Sequence, residues 1–181
     1  VLVESMGSDQ TRDEDHFEIL LNKALEDSII IDAVLAKSEK ERKALWLLRD
    51  DVEKQAQYGP TVMFDVSLPI NEMESYVSKV NMNLQNNWSK FHHIVWGHLA
   101  DGNLHLVVGT GDLESNTVKS IENSVYEPLK LIGGSISAEH GIGLEKKPYL
   151  HLSRSEEEIN YMKALKNTFD PKGILNPGLI F

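Results

Sequence analysis

Two alternating apolar runs meet at Asp101-Gly102, within Gly97-His98-Leu99-Ala100-Asp101-Gly102-Asn103-Leu104-His105-Leu106. Asp-Gly in such a place is the strongest short-range hairpin signal, because a two-residue type I′ turn needs positive φ at both central positions. A hairpin inside a series of helices and strands commits the sheet to antiparallel pairing. The expected fold class is therefore α+β, an antiparallel β-sheet flanked by helices, rather than a doubly wound parallel sheet.

The rest of the chain supplies the elements. Apolar residues recur at helical spacing behind four start signals. Thr11 with Glu14 precedes a stripe of Phe17, Leu20, Leu21, Ala24 and Leu25; Ser38 with Glu41 precedes Leu45, Leu48 and Val52. Asn71 with Glu74 opens a third helix, with Met73, Tyr76, Val77, Val80 and Leu84 facing inward, and Ser155 with Glu158 opens a last one on Ile159, Met162, Leu165 and Phe169. A less regular helix is expected from about Asn116 to Leu131. Strands are expected at Val1 to Glu4, Ile29 to Leu35, Thr61 to Leu68, His93 to Leu99, Leu104 to Val108 and Ser135 to Ala138. No internal repeat or low-complexity linker interrupts this series.

If Asp101 and Gly102 are the two turn residues, His98 and His105 stand directly opposite each other. Opposed residues share a face with Cβ atoms about 4.5–5.5 Å apart, close enough for two imidazoles to converge on one ion. Spacing alone leaves open that either is simply a half-buried polar residue. Catalytic zinc usually takes three protein ligands, and Ser137-Ala138-Glu139-His140-Gly141-Ile142-Gly143 offers a third. One assignment makes Glu139 the ligand and His140 a general base; the other makes them a surface pair in a loop. Gly141 and Gly143 do not form a dinucleotide fingerprint, because Lys146 holds the third glycine position, and no Walker sequence occurs.

Composition narrows the partners. The 181 residues include no cysteine, which removes disulfides and thiolate chemistry and makes a reducing compartment, cytoplasm or mitochondrial matrix, the expected setting. A formal charge of -10 without a long Lys/Arg run opposes nucleic-acid binding. The longest apolar stretch, Ile29 to Ala36, is broken by Asp32 and far too short for a transmembrane helix. There is no basic leader before an apolar core, and Val1-Leu2-Val3-Glu4 reads as a strand already under way, so the chain is expected to begin inside a longer protein.

Three ordered blocks carry a family resemblance: Gly97 to Leu106, Ser137 to Gly143, and Asp170-Pro171-Lys172-Gly173-Ile174-Leu175-Asn176-Pro177-Gly178. Together with Ala44-Leu45-Trp46-Leu47-Leu48-Arg49 and Asp65-Val66-Ser67-Leu68-Pro69, they resemble the C-terminal half of FAD-linked oxidases of the vanillyl-alcohol-oxidase type, nearest to D-2-hydroxyglutarate and D-lactate dehydrogenases. The resemblance implies one substrate- and metal-binding domain over residues 1–181, built on ferredoxin-like repeats. It also implies a flavin-binding domain outside this chain. It implies that His98, His105 and Glu139 bind Zn²⁺ or Mn²⁺, that His140 takes the substrate hydroxyl proton, and that Arg49 binds the substrate carboxylate, for which a guanidinium fork is suited. Asn176 would lie near the flavin ring. Without the resemblance Arg49 reads as a solvated arginine, and the Asp170 to Gly178 block as helix termination by Pro171 and Gly173 followed by a turn.

The implied reaction is oxidation of a 2-hydroxy acid to a 2-oxo acid by FAD, with an electron acceptor that the sequence does not identify. The resemblance further implies that members specific for hydroxyglutarate carry additional polar or basic groups where this chain has Glu53, Met63 and Val107, so a smaller or less charged acid is the expected substrate. With no nucleotide-cradling segment, the isolated chain is expected to bind FAD weakly and to be inactive alone. Two rivals remain at this point: a metal-dependent small-acid binding module without redox activity, and a freestanding metal hydrolase.

Overall fold

A computed structural model describes residues 2–51 and 57–180, in two units, Val1–Lys54 and Gln55–Phe181. The first unit holds α1, Gln10–Glu26, and α2, Glu39–Asp50. Asp9, not Thr11, caps α1, its side chain accepting from the Arg12 N–H. Ser38 caps α2 as expected, but Glu41 reaches back to the Lys37 N–H, so the expected box is only half made. Phe17, Leu21, Ala24 and Leu45 are half-buried, whereas Leu20, Leu25 and Leu48 face solvent.

Two expected strands of this unit are not strands. The segment Ile29 to Leu35 is irregular, with Ile29, Ile31 and Val34 exposed, and residues 2–4 lie outside any element. Branched side chains favour a pleated surface only where a neighbouring strand supplies the other half of the ladder. No such neighbour exists among the described residues of this unit. Val1, Val52 and Glu53 lie outside the described residues.

In the second unit, β1 (Val62–Ser67), α3 (Met73–Asn87), β2 (His92–His98), β3 (Asn103–Gly109), α4 (Ser115–Leu131) and α5 (Glu156–Phe169) follow in order. The three strands form an antiparallel sheet ordered β1-β3-β2, so β3 slots between two strands joined through a helix, a split βαβ arrangement. The expected strand at Ser135 to Ala138 shrinks to one antiparallel bridge, Ser67 to Ser135. The α+β reading holds, with its sheet confined to this unit.

One sheet face builds the core. Phe64, Val66, Leu104, Leu106 and Val108 pack with Tyr76, Val80 and Leu84 of α3 and with Ile121, Val125, Tyr126 and Leu129 of α4. Each fully buried aliphatic or aromatic side chain stabilises the fold by about 1.5–3 kcal/mol relative to exposure. The Tyr76 hydroxyl donates to the Val125 carbonyl at 2.9 Å, so its polar end is satisfied inside. The inward face expected for α3 is right, but Asn71 does not cap it; a 3₁₀ turn, Ile70–Glu72, leads in instead.

The capping box of α5 forms as expected from Ser155 and Glu158. Its apolar stripe does not bury as expected: Ile159 and Met162 are half-buried, Leu165 and Phe169 exposed. No helix among the described residues is long and apolar enough to cross a membrane.

The hairpin register differs from the expectation. Leu99–Asp101 form a 3₁₀ turn and Gly102 takes the left-handed conformation, so four residues bridge the strands and the ladder closes at His98 opposite Asn103. Trp96, not His98, lies opposite His105. The cause is a contact from outside the hairpin: the Leu68 N–H donates to the Gly102 carbonyl at 2.9 Å and fixes the turn against the end of β1. Because the error is two residues, side-chain parity survives, and both histidines still point from the same face.

Candidate functional site

Side chains alternate across a strand, so the face opposite the core is set by register. It carries Asp65, His105 and Trp96 on one rung and Ser67, Asn103 and His98 on the next. His98 and His105 are diagonal rather than opposed, and their ring centroids are 5.6 Å apart. The segment after Ser135 runs beside this face and brings Glu139 and His140 to it.

The structure assembles the three side chains expected as ligands. One donor atom each from His98, His105 and Glu139 lies within 4.8 Å of the others, with His105 Nε2 standing 3.9 Å from Glu139 Oε2. The two histidines are half-buried and the Glu139 side chain is about half exposed. Two borderline nitrogens, a hard oxygen and an open side suit zinc or manganese, so the donor chemistry fits a divalent cation. His140 stacks on His105 with centroids 5.9 Å apart and an interplanar angle of 24°, while its side chain stays 62% exposed. It is thus beside the donor set and open to solvent on one side.

Asp65 is the site residue the sequence reading passed over. Its side chain is sealed from solvent, and Oδ2 accepts three consecutive backbone N–H groups, from Ala138 at 3.1 Å and from Glu139 and His140 at 2.8 Å each. This single oxygen pins the loop that bears Glu139 and His140. The nearly buried Lys146 ammonium lies 3.7 Å from the same oxygen and donates to the Asp65 carbonyl and the Ser137 hydroxyl at 3.2 Å each. Burial pushes the Asp65 carboxyl up, but the N–H groups of His140 and Glu139 and the Lys146 charge outweigh it and hold it below the usual range. Burial also lowers His105, against the opposing pull of Asp65 and Glu139, a direction that favours the neutral imidazole, the form that can offer a lone pair. Alternation gave no signal for Asp65, because a charged residue between Phe64 and Val66 has the pattern of an ordinary solvent-facing strand position.

Arg49 lies exposed on α2 in the first unit and donates to the Asp50 carboxylate at 2.9 Å. Asn176 is exposed in the final turn with φ 46°. Met63 and Val107 form the rung beyond Asp65 and His105 on the same face, Met63 exposed and Val107 fully buried.

The profile of the family described as FAD linked oxidases, C-terminal domain, matches residues 1–180. The chain belongs to this family. Among curated relatives, a Schizosaccharomyces pombe protein assigned by name as a mitochondrial D-lactate dehydrogenase is 40% identical over 98% of this chain and 36% of its own length. The mitochondrial D-2-hydroxyglutarate dehydrogenase of Danio rerio is 35% identical over 98% of the chain and 33% of its own. The D-2-hydroxyglutarate–pyruvate transhydrogenase of Saccharomyces cerevisiae is 34% identical over 98% and 37%. This FAD-linked oxidase C-terminal domain therefore spans about a third of the length of the relatives it matches.

Proposed function

We propose that this domain is the substrate- and metal-binding part of a flavin-dependent dehydrogenase that oxidises a small D-2-hydroxy acid to the 2-oxo acid. The observation that carries the reading is the convergence of His98, His105 and Glu139 within 4.8 Å, with His140 stacked beside them. The named activities of the relatives support the reaction class. A divalent cation on the three donors would supply Lewis acidity that lowers the pKa of a substrate hydroxyl. The FAD of a separate domain would supply the redox step.

This chain's residues do the remaining work. His98, His105 and Glu139 hold charge at a fixed point of the sheet face. His140, adjacent in sequence to one of them and exposed on its outer side, accepts the hydroxyl proton at a ring nitrogen. Arg49 is the proposed partner of the substrate carboxylate, and Asn176 the proposed neighbour of the flavin ring. The apolar, exposed Met63 favours an acid smaller or less charged than hydroxyglutarate; Val107, fully buried, is not placed to meet one. The mitochondrial names of relatives favour a matrix setting for this protein.

The test is His140→Ala in an enzyme that joins this domain to its flavin-binding domain. Turnover is expected to vanish while the bound metal stays; retained turnover would remove His140 from the chemistry.

A further inference from the structure

The Asp65 carboxylate has one oxygen too many for its visible partners. Oδ2 takes all three loop N–H groups, while Oδ1 is buried with no hydrogen-bond partner among the described residues. A charged oxygen left in that state is costly, and relief needs only a proton turned toward it. His105 Nδ1 stands 3.7 Å from Oδ1, and the far nitrogen of the same ring, Nε2, faces Glu139. A modest tilt of the ring closes the first gap.

We propose that Asp65 is a positioning residue: it takes a hydrogen bond from Nδ1–H of His105, fixing the tautomer that leaves the Nε2 lone pair aimed at the site shared with His98 and Glu139. The inference rests on the metal reading above and extends it to a residue behind the donors. A carboxylate behind a metal-binding imidazole fixes ring orientation and raises ligand basicity. Through its other oxygen Asp65 also sets the backbone of Glu139 and His140, so one buried group aligns residues from β3 and from the loop.

Asp65, His105 and His140 also offer three atoms within 4.8 Å, as though Asp65 were itself a ligand. Its surroundings oppose that. Three N–H dipoles and the Lys146 ammonium already converge on Oδ2, so a cation drawn there meets positive charge from two directions.

Asp65→Asn separates positioning from simple loop support. The amide oxygen can still accept the loop N–H groups, which turns its NH₂ toward His105. An NH₂ only donates, so Nδ1 must accept and the ring proton moves to Nε2, where it blocks the lone pair. Long-range ¹H–¹⁵N NMR of the metal-free 181-residue chain, in mildly alkaline buffer, should show Nδ1–H in the wild type and Nε2–H in the variant. Zn²⁺ affinity of the variant should fall about 10–100-fold with the fold intact by circular dichroism. The same tautomer in both proteins, or unchanged Zn²⁺ affinity, overturns the proposal. So does an Nε2–H tautomer in the wild type, whatever the variant does. If the wild type binds no Zn²⁺, the metal reading fails, and the tautomer measurement still decides the role of Asp65.

Discussion

Gly102→Ala tests how the hairpin that carries both histidines is held. Gly102 sits at φ 67°, and a Cβ built there would lie 2.5 Å from the Leu68 carbonyl oxygen. The left-handed conformation alone costs an alanine roughly 1–2 kcal/mol. The clash is with backbone, so the turn must move, and the Leu68 N–H bond to the Gly102 carbonyl goes with it, a further loss of about 0.5–1.5 kcal/mol. The sum is about 1.5–3.5 kcal/mol. Gly133 supplies the control, because it has the same φ of 67° and a Cβ added there would meet nothing within 4 Å. Gly133→Ala should therefore cost only about 1–2 kcal/mol. Urea titration of wild type and both variants reads the difference from the midpoints at constant m-value. Equal losses in the two variants would refute the claim that the Leu68 contact, rather than φ alone, fixes the turn.

Two further outcomes are expected. The Asp170 carboxyl is held at about 2, below its ordinary 3.8, by the Lys166 ammonium and by the N–H groups of Leu175 and Ile174. A depressed acid stabilises the fold above its unfolded value and loses that contribution as pH falls through the folded one. Hydrogen-exchange protection at Ile174 and Leu175 should thus decline as pH drops from 3.8 toward 2, and Asp170→Asn should remove the decline; a pH-independent profile in the wild type would contradict the pairing. In the flavin-bearing enzyme, D-lactate should be oxidised more efficiently than D-2-hydroxyglutarate, and equal kcat/KM for the two acids would count against the role given to Met63.

What was legible in the sequence was mostly local. Ser155 and Glu158 announce a capping box that forms, and the inward face of α3 can be read from spacing because it packs on a sheet. Asp101-Gly102 announces a hairpin, but the loop is set by Leu68, far upstream on the other side of α3 and β2, which no local pattern records. The histidines stayed on one face only because a two-residue slip preserves parity. Asp65 escaped notice since an Asp in an alternating strand reads as solvent-facing, and the N–H groups it accepts come from residues 138–140. Ile29 to Leu35 shows the opposite failure: a strong strand pattern has no ladder to join among the described residues. The third expected donor, Glu139, was readable as a residue type, yet its arrival beside His105 depends on that long-range Asp65 clamp.

X-ray absorption at the zinc edge of the Zn²⁺-loaded chain bears most directly on the central claim. The expected first shell holds two imidazole nitrogens and a carboxylate oxygen at about 2.0–2.2 Å, with the imidazole signal reduced by one ring in His98→Ala and in His105→Ala alike. A shell lacking imidazole, or one left unchanged by both substitutions, would place the ion elsewhere and contradict the account.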